Sequence, residues 1–239
     1  VTPPPVTPPP ATPPPAVVQP PNPAYSRHLA DTNTGAAHAA GFTGQGVRIG
    51  FLDSGINRNH PALRGRVTDN LIYVNRTTNN TSVDDVVGHG TAVAQAAAGR
   101  PFGAWPGGVA PGATLVSARI ISDKPPVDDG SGNGNPVDGA LGLEPIHRDL
   151  INRNVRIMNN SWGGLYLDNP AAATPIAAEY RPFVVQHGGL VVFASGNAER
   201  ANPSDLAGLP SQQLANGTRP GADLERGWLT VSALAEGST

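Results

Sequence analysis

From Gly46 onward, short apolar runs alternate with stretches of small and polar residues. Gly46 to Leu52 (GVRIGFL) is a β-branched, glycine-bounded run of the kind that suits a strand buried on both faces. Runs of the same kind follow from Thr114 to Ile121 (TLVSARII), Val155 to Asn159, Leu190 to Ala194 (LVVFA) and Trp228 to Leu234 (WLTVSAL). Between them the pattern predicts helices over His89 to Ala98, over Val137 to Asn152, and over a segment ending near Gly188. A short helix over Tyr25 to Ala40 leads in, with Gly41 and Gly44 as loop punctuation. Pro145 and Pro182 fall inside two of these helices and blur their boundaries. Strands alternating with helices predict an α/β fold: a mostly parallel sheet with helices on both faces and right-handed crossovers. Ligands of such sheets bind beyond the carboxyl ends of the strands. Asp53 and Asn197 stand just past two of those ends and His89 opens a helix, so the pattern places all three on one edge.

The first 24 residues follow a different rule. TPPP recurs at Thr2, Thr7 and Thr12 and prolines continue to Pro23, so this segment cannot form helix or sheet. Extended as polyproline II it would reach about 70 Å. It reads as a disordered linker, residues 1–24, because no basic anchor sits within the repeats to suit a Pro-binding module. The remaining residues, 25–239, have the length of one domain. A formal charge of −2 with 14% charged residues gives no nucleic-acid footprint and no polybasic membrane patch. The absence of cysteine rules out a disulfide framework, a thiol nucleophile and thiolate metal sites. No apolar run reaches the roughly 18 residues of a spanning helix.

The chemistry centres on His89, set between Gly88 and Gly90 where a helix begins. Glycines on both sides let another backbone come close. The positive end of the helix opposes a charged imidazole, which makes a carboxylate partner more necessary. Taken alone, Asp53 would read as a turn aspartate capping the next element.

Five segments, in order, resemble the subtilisin-like serine proteases: VRIGFLDSGINRNHPAL around Asp53, GHGTAVAQAAAG around His89, GVAPGATL from Gly108, NNSWGG from Asn159, and VVFASGN ending at Asn197. The resemblance covers roughly Gly41 to Leu234. It implies a subtilisin-like α/β domain, here its N-terminal part, truncated at its C-terminal end before the nucleophile segment. It implies a secreted or surface endopeptidase acting on polypeptides through an acyl-enzyme. The Pro-rich leader is similar to that of bacterial autotransporter members, whose membrane tether would lie in segments outside this chain. On this reading Asp53 orients the imidazole, His89 is the general base and acid, and Asn197 is the side-chain donor of the oxyanion hole. Ser161, Trp162 and Gly163 resemble one edge segment that holds the peptide as an added strand, and Gly130, Ser131 and Gly132 the opposite one. Trp162 stands where the family often has Leu, and is read either as a specificity-pocket wall or as a core ring.

Two departures stand out. Ala92 replaces the second histidine of the family's GHGTH pattern, which removes no triad member. The nucleophile is the larger one: counting the family's spacing from His89 passes the end of the chain. Asn216-Gly217-Thr218 begins like the serine motif, but Arg219 occupies the serine position. Gly237-Ser238-Thr239 has the wrong order. The chain alone is therefore expected to be inactive, with the serine downstream. No cofactor is implied. The loop Asp128 to Gly139 offers oxygen donors but lacks the Glu and spacing of an EF-hand, so calcium is not read from it. His28, His38, His147 and His187 show no zinc spacing, and His60 is read as structural. Two rivals are a catalytically dead subtilase used as a peptide-binding or scaffolding module, and a nucleotide-binding module built on Gly41, Gly44 and Gly46. The glycines of the second precede the first strand, whereas a phosphate loop must follow it.

Overall fold

The computed structural model describes residues 23–124, 136–197 and 201–233. Six parallel strands form the central sheet: β1 (Arg48–Asp53), β2 (Val67–Ile72), β3 (Thr114–Arg119), β5 (Ile157–Asn160), β7 (Leu190–Ala194) and β8 (Trp228–Val231), in the order β2-β3-β1-β5-β7-β8. β4 (Pro136–Val137) and β6 (Tyr166–Leu167) pair separately, also in parallel. β1 is central, with Ile49 opposite Leu115 on one side and Ile157 on the other. From Ile49 to Asp53 it is fully buried, as the apolar run predicts.

The strand period sends alternate residues to opposite faces, and each face has its own core. Ile49, Phe51 and Leu115 pack with Leu63 and with Ala94 and Ala98 of α3 (His89–Ala98). On the other face Leu52, Val116 and Met158 pack with Ile146 and Leu150 of α4 (Glu144–Asn152) and with Ile176, Ala177 and Tyr180 of α5 (Ala173–Arg181). Gly50 makes the close seating of α4 possible, since a Cβ there would lie 3.1 Å from both Leu150 and Val155. The parallel sheet with a helical layer on each face is the architecture that the alternation predicts.

The departures from the sequence reading have local causes. The helix expected from Val137 begins only at Glu144, with Pro145 in the first turn where its missing N–H costs nothing; Val137 belongs to β4. Pro182 does not stop the following helix but changes its winding: α5 runs into a π-type turn over Pro182–Gln186, closed by His187 N–H donating to the Pro182 carbonyl at 3.0 Å. The lead-in helix is two short ones, α1 (Arg27–Asp31) and α2 (Thr34–Ala39), broken where Asn33 takes φ 52°. β2 has no counterpart in the apolar pattern. It is an edge strand with Asp69 and Asn70 at its middle and a bulge at Thr68, so it lacks both alternation and an apolar run. The described residues hold no helix long and apolar enough to cross a membrane.

Between α4 and α5 lie two buried polar side chains. The Glu179 carboxylate accepts the Gly142 and Leu143 N–H groups at 2.8 and 2.9 Å, which caps the start of α4. His147, 1% exposed, donates Nδ1–H to the Glu179 carbonyl at 2.8 Å and lies against the Tyr180 ring. Burial pulls its pKa down to about 4, against the smaller opposing effects of the Glu179 carbonyl and the Glu144 charge. The unfolded chain therefore binds this proton more readily than the folded one. Its contribution to stability is complete above the unfolded value near 6.5 and is lost as pH falls towards 4, by about 3 kcal/mol in total. Denaturant titrations across that range should show wild-type stability falling more steeply with acid than that of His147→Gln. Parallel curves for the two proteins would contradict the assignment.

Candidate active site

Asp53 ends β1 with its carboxylate fully buried. Its Oδ1 accepts two hydrogen bonds, from the Ser54 N–H at 2.7 Å and from His89 Nδ1–H at 2.7 Å. Its Oδ2 is buried with no partner among the described residues. Burial pushes the Asp53 carboxyl above its ordinary range, while hydrogen bonds from His89 and the Ser54 backbone pull it back towards the carboxylate. His89, the first residue of α3, is the opposite case: its side chain is 49% exposed, and Nε2 makes no hydrogen bond with any described residue. One nitrogen is thus fixed by a buried acceptor and the other is open, the division of labour that a general base needs.

The turn after β1 and the first turn of α3 are pressed together. A Cβ on Gly90 would lie 2.2 Å from the Gly55 carbonyl and 3.0 Å from Asp53 Cβ; one on Gly55, which takes φ 117°, would lie 2.1 Å from the Asp84 carbonyl. Asp85 ties the two turns together. Its carboxylate accepts the Gly88 N–H at 2.8 Å, the Thr91 N–H at 3.0 Å, the Ser54 hydroxyl at 2.9 Å, and the Thr91 hydroxyl. Ser54 Oγ in turn accepts the Gly90 N–H at 2.9 Å. The helix has Gly88, at φ 85°, as its N-cap residue, with no side chain to offer; Asp85 and Ser54 satisfy the orphan amides in its place. Next to it, Asp84 accepts from Arg58 Nε and Nη2 at 3.0 and 2.8 Å and from Asn70 Nδ2 at 3.1 Å, and the Arg58 hydrogen bonds hold its carboxyl below the usual range.

Asn197 lies past the carboxyl end of β7, exposed, after Gly196 at φ 115°. Because all six strands are parallel, it shares the sheet edge with Asp53, two strands away. Ser161 and Gly163 follow the intervening β5 at that same edge; Ser161 Oγ accepts from Asn159 Nδ2 at 2.9 Å. The Trp162 ring packs edge-to-face on Phe193, 5.0 Å between centroids, against the core on the α4–α5 face, which favours the core reading of this residue. Gly130, Ser131 and Gly132 lie outside the described residues. Arg219, at the place of the serine in the NGT segment, donates to the Pro210 carbonyl at 2.9 Å and pairs with Glu225. His60 is structural: its Nδ1 accepts the Ala62 N–H and its ring meets Phe102 edge-on. His28, His38 and His187 each hold a backbone carbonyl, and no group of three metal-ligating side chains occurs among the described residues.

The sequence reading missed Asp85 and Ser54. Ser54 adjoins Asp53 and Asp85 lies four residues before His89, but a cap three residues ahead of the N-cap position follows no local rule. Replacing Asp85 with Ala should cost about 1–2 kcal/mol in unfolding free energy, the scale of a lost cap. It should also weaken or broaden the low-field imidazole N–H proton resonance of His89. An unchanged resonance would show that Asp85 does not hold the pair.

The family model described as the Subtilase family matches residues 44–238. A probable subtilase-type serine protease of Deinococcus radiodurans is 28% identical over 211 residues, covering 78% of this chain and 26% of that protein. Subtilisin E of Bacillus subtilis is 29% identical over 177 residues, 74% of this chain and 41% of the relative. Human furin is 32% identical over 188 residues, 73% and 22% respectively. The chain thus spans well under half the length of these relatives. Matching over most of its length, with an aspartate at the end of β1 bonded to a histidine at the start of α3, the chain belongs to the subtilase family of serine peptidases.

Proposed function

We propose that the protein is a secreted or surface-exposed serine endopeptidase, and that this chain carries the acid–base half of its catalytic site. The observation that carries the reading is the 2.7 Å bond from His89 to a fully buried Asp53, with the second imidazole nitrogen left open. In peptide hydrolysis, His89 Nε2 takes the proton of a serine hydroxyl as that oxygen attacks the scissile carbonyl. Asp53 keeps Nδ1 protonated and stabilises the imidazolium that forms. The same proton then goes to the leaving amine, the acyl-enzyme is left, and a water activated by His89 releases the acid. Asn197 serves the oxyanion of each tetrahedral intermediate. Its substrates are polypeptides, held along the Ser161–Gly163 edge.

The serine belongs to residues that follow Thr239 in the full protein, and the chain alone turns over no substrate. The Pro-rich leader supports a surface setting of the autotransporter kind, with the protease held off its anchor. A catalytically dead scaffold is the second reading: it would keep the Asp53–His89 pair and lack the hydroxyl.

A serine-directed fluorophosphonate should label the full-length protein and leave the 239-residue chain unlabelled. His89→Ala should lower kcat of the full-length enzyme by about 10⁶, and Asn197→Leu by about 10²–10³, the scale of the corresponding losses in subtilisin. Absence of labelling in the full-length protein would favour the scaffold. Turnover by the 239-residue chain would overturn the placement of the nucleophile.

A further inference from the structure

Tyr25, Phe42 and Phe102 are the exposed aromatic side chains among the described residues, and two of them, Tyr25 and Phe102, border a single depression. It is shallow and apolar, about 370 Å³, and is lined by Tyr25, Gln95, Phe102, Gly103, Ala104 and Trp105, none of them charged. It lies by the C-terminal half of α3, away from His89. The Phe102 and Trp105 rings are held in place although Phe102 is 43% exposed. Phe102 and Trp105 exchange backbone hydrogen bonds at 3.0 Å across a two-residue loop, with Gly103 at φ 55°. One face of Trp105 stacks parallel on His28, 6.0 Å between centroids, and His28 is fixed by donating Nε2–H to the Gly107 carbonyl at 2.9 Å. The edge of the same indole rests on Gly99, where a Cβ would lie 3.0 Å from it. Phe102 stands edge-on to His60 at 5.5 Å. Among the described residues, the Trp105 indole N–H and the Gln95 side-chain amide have no hydrogen-bond partner.

A preformed, uncharged aromatic groove with unused N–H donors matches the requirements of a polyproline II strand. Such a strand has no internal hydrogen bonds and offers free carbonyls, while its proline rings pack on aromatic faces at little cost in conformational entropy. The chain carries a sequence of that composition immediately before the groove. Residues 1–22 hold the TPPP repeats, carry no charged side chain, and lead directly through Pro23 into Tyr25 at the rim of the groove. Attachment at that point gives the segment an effective concentration on the order of millimolar, so even a weak contact is populated. We propose that the groove docks the chain's own Pro-rich segment, residues 1–22, packing its prolines on Phe102 and Trp105 with carbonyls accepting from the indole and from Gln95. The linker then leaves the domain from a fixed bearing on α3 and holds the catalytic edge at a set orientation to whatever the linker is attached to.

The chain contains no cysteine, so a single thiol introduced in the leader is the sole labelling site. Bimane attached in Ala16→Cys, Thr12→Cys or Thr7→Cys reports contact with a tryptophan by loss of emission. At least one of the three should be quenched, equally at all protein concentrations. Emission should recover when Phe102→Ala and Gln95→Ala are added, which leave the quencher in place, and also in Trp105→Phe, which removes it. Full emission at all three positions overturns the proposal, as does quenching that survives these changes. Quenching that fades on dilution assigns the groove to a second copy of the chain and equally overturns it.

Discussion

The carboxyl edge of this sheet depends on one close approach, the first turn of α3 against the turn after β1. Only a hydrogen fits at Gly90, between the Gly55 carbonyl and Asp53, and only a hydrogen at Gly55, against the Asp84 carbonyl. With both positions reduced to glycine, a helix start and a strand end come close enough for an imidazole on one to meet a carboxylate on the other. The approach also dries the carboxylate. A buried aspartate is costly unless it is hydrogen-bonded, and here the compensation comes from Ser54 N–H and His89 themselves. The same geometry therefore places the pair and makes each member need the other.

A second buried charge holds the loop behind that contact. Arg119, at the end of β3 and fully buried, donates to the Asn80 and Val83 carbonyls at 3.1 and 2.8 Å and pairs with Asp123. Asp123 in turn accepts the Asn80 N–H at 2.6 Å. The loop that carries Asp84 and Asp85 is thus anchored to the core from below. Its own carboxylates then reach forward, Asp84 to Arg58 and β2, Asp85 to the helix start. The exposed face of His89 rests on a chain of hydrogen bonds that begins inside the sheet.

What was legible in the sequence follows from how local each signal is. β1 and β3 were readable because strands buried on both faces are near-continuous apolar runs. Asp53 and His89 were readable because each sits at an element boundary inside a dense motif. β2 was not, because an edge strand that faces solvent can carry Asp69 and Asn70. The start of α4 was misplaced because its cap is the Glu179 carboxylate, more than thirty residues away in sequence. Asp85 and Ser54 act through contacts across two turns, which no periodicity reveals. The sequence leaves Trp162 with two roles because its neighbour Phe193 belongs to a strand that comes later in the chain. The Phe102–Trp105 hairpin left no trace in the pattern, since its rings are conspicuous only once they are seen to remain exposed.

The position of β1 also bears on how this molecule is reached and left. Ile49 pairs with Leu115 on one side and with Ile157 on the other, so neither neighbour of the central strand lies nearby in the chain. Each pairing requires a long loop to close before any contact repays the lost chain entropy. The barrier that this raises stands in both directions: the sheet is slow to assemble and, once assembled, slow to open. A molecule of this topology is held folded by rate as much as by equilibrium.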